Sequence, residues 1–292
     1  MWPSGPIVAC AATGYASASE SSAGSHRTWE PYMAEPLPPT PILAVRNLVV
    51  AYGRKTAVDG VSFQVHRGEI FGLLGPNGAG KTSTLSAIEG LLKPAGGEVS
   101  VDGIDVGHDP LAARARMGVL LQEASFQPQL TIKQLARLYA GLYGVALGDA
   151  ELVERLRSFG LEGELGKPFK SLSGGQQQRF SMLIALIHAA PLLLLDEPTA
   201  GLDPQSRRNL WDRIQEQQGS GGSVLLTTHS MEEAQAVCAR LAIIDHGKLV
   251  ALGAPSDLIA KYREDPRVLR VAHGAATLED VFIALTGSEI RD

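Results

Sequence analysis

The chain has 292 residues, of which 45% are hydrophobic and 20% charged, and a formal net charge of −5 at neutral pH. That length suits one large domain or two small ones with a packed core. The acidic balance excludes a broad basic field that would gather nucleic acid, so none is expected as a partner. Two cysteines, Cys10 and Cys238, lie far apart and fit no metal-ligand spacing, which points to a reduced, cytosolic chain.

Residues 1–40 are rich in Ser, Ala and Pro and end in "EPLPPTP". They bury too little apolar surface to offset their ordering entropy and read as a disordered N-terminal extension. The start lacks the basic segment of a secretory signal, and Met33 is an alternative translation start. From residue 41 the pattern changes. "ILAVRNLVVAY" (42–52) and "VSFQV" (61–65) read as strands, and "EIFGLLG" (69–75) has the length of a buried strand. "PNGAGKTSTLSAIEGLL" continues at helical spacing, and "EVSVDG" and "MGVLLQ" (117–122) are further strands. From about 123 to 175 the character is helical, with "TIKQLARLYAGLYG" and "AELVERLRSFG" both amphipathic. Then helix, strand, helix, strand and helix alternate through "QQQRFSMLIALIHAA", "LLLLDE", "PQSRRNLWDRIQEQQ", "SVLLTT" and "MEEAQAVCARL". The alternation predicts an α/β domain over 41–253 with a mostly parallel core sheet, interrupted by an inserted helical subdomain. Residues 254–292 form a short C-terminal extension. The longest uncharged apolar run, 181–195, falls short of the about 20 residues a membrane-spanning helix needs.

"GPNGAGKT" (75–82) fits G-x-x-x-x-G-K-[ST] between a strand and a helix. Gly75, Pro76, Asn77, Gly78, Ala79 and Gly80 would wrap backbone N–H groups around the phosphates of a nucleotide. Lys81 would reach the β and γ oxygens, with Thr82 on Mg²⁺ and Ser83 following it into the helix. "LLLLDEP" (192–198) ends a buried strand on two carboxylates. Asp196 suits a second magnesium contact. Glu197, pointing the other way on an extended backbone, suits a base for attacking water. Gln122 and His229 also stand where strands stop, the edge at which ligands gather in parallel sheets. Gln122 would bind Mg²⁺ or its water and sense γ-phosphate; His229 would donate to a γ-phosphate oxygen. Tyr52, after the first strand, is placed to stack on adenine.

"LSGGQ" (172–176) is a second helix start suited to an anion, with Ser173 as its cap and Gly174 and Gly175 exposing backbone N–H groups. One chain binds one nucleotide in its own phosphate loop. In a two-fold dimer each second site can instead close over the nucleotide of the other chain.

Residues 42–252 resemble the nucleotide-binding subunit of ATP-binding-cassette (ABC) transporters. The matching parts follow that family's order: Tyr52, the Walker A loop 75–82, Gln122, the signature 172–176, Walker B 192–197, "AGLD" (200–203) and His229. The resemblance implies a P-loop NTPase with a RecA-like core, an antiparallel β subdomain and a helical subdomain. It implies an ATPase using ATP and Mg²⁺, with two ATPs held between two chains. Ser173, Gly174, Gly175 and Gln176 would form the trans site, Asp203 would contact the partner chain, and a separate transmembrane permease would dock near Gln122. "TTHSMEEAQ" and "TLEDVFIALTG" (277–287) further resemble bacterial drug- and lipid-exporter ATPases, bound to the inner face of the cell membrane. A soluble ABC ATPase of the cluster-assembly kind and an importer subunit remain alternatives at this level.

Overall fold

The computed structural model describes residues 40–120 and 126–287. Gln122 and the expected disorder of residues 1–39 lie outside the described residues. Two antiparallel strands, β1 (Leu43–Tyr52) and β2 (Lys55–Val65), lead into the fully buried β3 (Ile70–Leu74) and then α1 (Lys81–Ile88). Next come β4 (Gly96–Val101), the two-residue β5 (Ile104–Asp105), α2 (Pro110–Arg114) and β6 (Met117–Leu120). The helical block holds α3 (Ile132–Leu142) and α4 (Asp149–Ser158), and α5 (Gly174–Ala185) follows it. The alternating part is β7 (Leu192–Asp196), α6 (Pro204–Gly219), β8 (Ser223–Thr228) and α7 (Met231–Val237). The chain continues with β9 (Arg240–Asp245), β10 (Lys248–Gly253), α8 (Pro255–Tyr262), α9 (Pro266–Val271) and α10 (Leu278–Thr286).

Among the described residues these strands make two sheets. One is antiparallel, in the order β2-β1-β4-β5; the other is six-stranded, in the order β10-β9-β3-β8-β7-β6, parallel except at the β9–β10 hairpin. The central strands β3, β7 and β8 are buried at every position, and apolar along most of their length, because both faces of the sheet are covered. Phe71 and Leu73 of β3, with Leu192 and Leu194 of β7, face a core shared with α1 and the antiparallel sheet. Their neighbours Ile70, Leu74, Leu193 and Leu195 face a second core under α5, α6 and α7.

Parallel register decides where the site lies. Leu74 sits opposite Thr228, Asp196 opposite Thr227 and Leu120 opposite Leu195. Four strands therefore stop at one edge, and the residues after three of them, Gly75, Glu197 and His229, emerge together.

The helical block has its own apolar cluster, including Ile132, Leu135, Leu152, Leu156 and Phe169, and it does not end at residue 175. Phe180, Leu183, Ile184 and Ile187 on or just after α5 belong to it, while Met182 and Ala185 of the same helix join the core under the sheet. The helix lies so close to β6 that a Cβ on Gly118 would stand 2.0 Å from the Ala185 carbonyl oxygen. The C-terminal stretch, read from sequence only as an extension, forms three helices. Leu258 of α8, with Leu278 and Phe282 of α10, packs into the core under the sheet.

Candidate active site

The phosphate loop leaves β3 through positions that tolerate little beyond glycine. A Cβ on Gly75 would lie 2.4 Å from the Ile244 carbonyl oxygen, and one on Gly80, at φ 107°, would lie 2.5 Å from that of Ala57. From the far side Gly247, in the β9–β10 turn, donates its N–H to the Ala79 carbonyl (3.0 Å) and accepts from Asp59 N–H (2.7 Å). The loop is thus clamped between β2 and a hairpin turn distant in sequence, and α1 starts with its free N–H groups at the loop. Lys81 is 6% exposed; its ammonium donates to the Gly75 carbonyl (2.8 Å) and stands 3.7 Å from Glu197 Oε1. Burial pushes this lysine below the ordinary range, while Glu197 and then Asp196 oppose the shift. Thr82 is exposed at the start of the helix. Tyr52 is the last residue of β1, with its hydroxyl 3.4 Å from Ser83 Oγ and half its surface open.

β7 ends at Asp196, which is 6% exposed and accepts the Thr227 hydroxyl through Oδ1 at 2.5 Å. That threonine oxygen also accepts Glu197 N–H at 2.9 Å, so one side chain of β8 fixes both acidic neighbours. The extended backbone expected at Glu197 is not found. Its φ is 46°, a left-handed conformation that costs a side-chain-bearing residue about 1 kcal/mol or more. The turn brings its carboxylate back over the sheet edge, Oε1 toward Lys81 and Oε2 3.5 Å from His229 Nδ1. Charge explains the inward turn: Glu197 is well buried, and Lys81 supplies a compensating positive charge.

Tyr52, Pro76, Asn77, Gly78, Gly80, Lys81, Thr82, Ser83 and Glu197 all border one cleft, while Ala79 lies buried beneath it. Lys55, His246 and Gly247 also border it and escaped the sequence reading. Thr227 escaped it too. The signal for Thr227 was the polar pair "TT" closing an otherwise apolar strand before His229. For Gly247, the "DHG" turn between two apolar runs offered a hairpin but no hint of its target.

The signature residues do not border that cleft. Ser173 caps α5, its Oγ accepting Gln176 N–H (3.3 Å) while Gln176 Oε1 accepts Ser173 N–H (2.9 Å), a reciprocal capping box. A Cβ on Gly174 would meet nothing within 4 Å, and one on Gly175 would lie 3.4 Å from Ser206 Oγ, so the helix start stands beside α6. Asp203 caps that helix: Oδ1 accepts Gln205 and Ser206 N–H (3.0 Å each), and Oδ2 accepts the Ser206 hydroxyl (2.6 Å). These bonds, the Ser206 hydroxyl foremost, hold the Asp203 carboxyl below the usual carboxylate range.

For a divalent metal, Thr82 offers an exposed hydroxyl and Asp196 a second carboxylate oxygen. That sparse oxygen set fits Mg²⁺, which keeps several waters and takes phosphate oxygens as well. Among the described residues no group of three His, Cys, Asp or Glu side chains could hold a metal ion unaided.

A phosphate-binding loop, a buried lysine, a paired acidic strand end and a histidine at one sheet edge define a nucleotide-hydrolysing site. Comparison with known proteins agrees. Residues 58–200 match the family described as ABC transporter. Nod factor export ATP-binding protein I of Ralstonia nicotianae is 35% identical, over 87% of this chain and 96% of its own length. Linearmycin resistance ATP-binding protein LnrL of Bacillus subtilis is 38% identical, over 77% and 73%. A solved ATP-binding subunit of an ABC transporter superposes with a TM-score of 0.75 at 31% identity, covering 84% of this chain and 99% of that one. The chain belongs to the ABC transporter family as an ATP-binding, ATP-hydrolysing subunit, and its relatives are of export type. Subunits of this kind work with a membrane permease, and among the described residues no helix is long and apolar enough to cross a membrane.

Proposed function

We propose that this chain powers export of a drug-like or lipid-like substrate through a separate permease, from the cytoplasmic face of the cell membrane. Its relatives named for Nod factor export and linearmycin resistance support the direction of transport. Leu91, Leu111 and Leu142, on or beside α1, α2 and α3, are exposed apolar side chains that a protein partner would cover.

The observation that carries the mechanism is the split between the two motif groups. Lys81, Glu197 and His229 meet within one chain, whereas Ser173–Gln176 lie off the cleft. A second, identical chain supplying its signature helix over the first chain's nucleotide accounts for both. Tyr52 stacks on the base, the loop amides and Lys81 hold the β and γ phosphates, and Thr82 and Asp196, with Gln122 by family resemblance, would hold Mg²⁺. The ion, when bound, neutralises charge on the phosphates. Glu197 accepts a proton from the attacking water, and His229 steadies the γ-phosphate from the other side. Ser173 Oγ and the Gly175 N–H of the opposite chain contact γ-phosphate, so the dimer closes on ATP and is released with ADP.

Glu197→Gln tests this. ATP binding should persist, turnover should fall about a hundredfold or more, and the variant should elute as a dimer when loaded with ATP. A monomer at saturating ATP would remove the shared-site mechanism.

A further inference from the structure

The loop from Glu197 to α6 is fastened from two sides. On one, Gln178 of α5 donates its amide to the Pro198 carbonyl at 2.8 Å. On the other, the buried Thr199 hydroxyl donates to Glu233 Oε2 at 2.7 Å, and Arg207 Nε of α6 lies 3.3 Å from Glu233 Oε1. Glu233 is only 8% exposed, and a carboxylate so deep is costly unless paired. Its position in the chain gives the pairing meaning. It lies on α7, whose cap Ser230 comes directly after His229. Ser230 Oγ accepts Glu233 N–H (3.3 Å), and Ser230 N–H donates to Thr228 Oγ1 (3.0 Å). One carboxylate therefore joins the loop that follows Glu197, the start of α6, and the helix that follows His229.

We propose that Glu233 is a positioning residue for hydrolysis: through Thr199 and Arg207 it fixes the spacing between Glu197 and His229. Through Gln178 and Pro198 the same loop feels displacement of α5, the helix that begins at Ser173. A change at the signature start is thereby passed to the hydrolytic pair of the same chain. Neither Glu233 nor Thr199 touches the cleft that holds the nucleotide, so their loss changes the rate and spares binding. This inference rests on the roles given above to Glu197 and His229.

The test uses the full chain, with steady-state hydrolysis and equilibrium ATP binding measured in parallel. Thr199→Val keeps the shape and removes the hydroxyl; kcat should fall about tenfold with the ATP Kd within about twofold. Thr199→Ser should restore turnover to within about threefold of the parent. Glu233→Gln should lower kcat similarly, and the double variant T199V/E233Q should be no worse than the poorer single one, because both cut one link. If E233Q fails to fold, the two threonine variants decide alone. The inference is overturned by T199V with unchanged kcat, by a loss that T199S does not restore, or by additive losses in the double variant. Glu197→Gln separates the two levels. An inactive E197Q beside an unaffected T199V overturns this inference alone, whereas a fully active E197Q removes the assignment of Glu197 and this inference with it.

Discussion

The phosphate-loop corner and the start of α5 both offer backbone N–H groups to an anion, yet they are built differently. At the corner, three strand ends, a hairpin turn and β2 converge, and the two buried charges are held within the chain: Lys81 by Glu197 and Asp196 by the Thr227 hydroxyl. At the start of α5 a single helix projects its first turn, satisfied by its own capping box and bordered by Ser206 of α6. In the proposed mechanism, the first region binds the chain's own nucleotide and the second completes the site of another chain. Affinity for nucleotide should therefore reside at the corner, and dependence of turnover on a second chain at the helix.

Two variants, and the mixture of them, sharpen that contrast. Lys81→Ala removes the one buried cation of the corner and should lower turnover about a hundredfold or more, with ATP binding weakened as well; calorimetry against ATP reads the second effect. Ser173→Asp is milder and more telling. Aspartate caps a helix as well as serine, so the melting temperature should hold, while its charge repels γ-phosphate and turnover falls about tenfold or more. Mixing the impaired K81A and S173D chains should raise activity above that of either alone, because one site of the mixed dimer then has an intact loop and an intact helix start. No recovery on mixing would mean that both regions serve the same nucleotide within one chain.

The smallest effect concerns stability alone. Glu89, just after α1, is 5% exposed, and burial, with the Asp196 charge adding, pushes its carboxyl up to about 7, against a lowering by Arg114. Between the ordinary glutamate range and about 7 the unfolded chain loses this proton while the folded chain keeps it. Stability then falls as pH rises through that window. Glu89→Gln should flatten the decline, gaining on the order of 1–3 kcal/mol at pH 8 relative to pH 4.5, as read from urea melts. A parallel pH dependence in parent and variant would clear Glu89 of this role.

The corner was legible because its motifs are local. "GPNGAGKT" and "LLLLDE" each join an apolar run to a chemistry-bearing turn within a few residues, and parallel strands then bring the ends together by register. What escaped was what links distant segments. Thr227 bridging Asp196 and Glu197, Gly247 against Ala79, and Glu233 holding Thr199 are pairings across roughly thirty to nearly 170 positions, and no periodicity encodes them. The backbone of Glu197 departs from expectation for a related reason: the following Pro198 and the preceding strand bias it toward extension, and tertiary charge pairing overrides them. The C-terminal helices were missed although their starts were written in the sequence. Pro255 and Pro266 stand at first helical positions, Asp265 caps α9, and Thr277 with Asp280 forms a capping box. At eight, six and nine residues they are too short for apolar spacing to declare them.

The divided packing of α5 bears on how the protein comes apart. Phe180, Leu183 and Ile184 complete the apolar cluster of the helical block, while Met182 and Ala185 complete the one beneath the sheet. Neither cluster is whole without that helix, so the helical block is not a detachable folding unit, although it reads as an insertion. Heat should melt both clusters in one cooperative transition, and amide exchange should find α5 among the last segments to open.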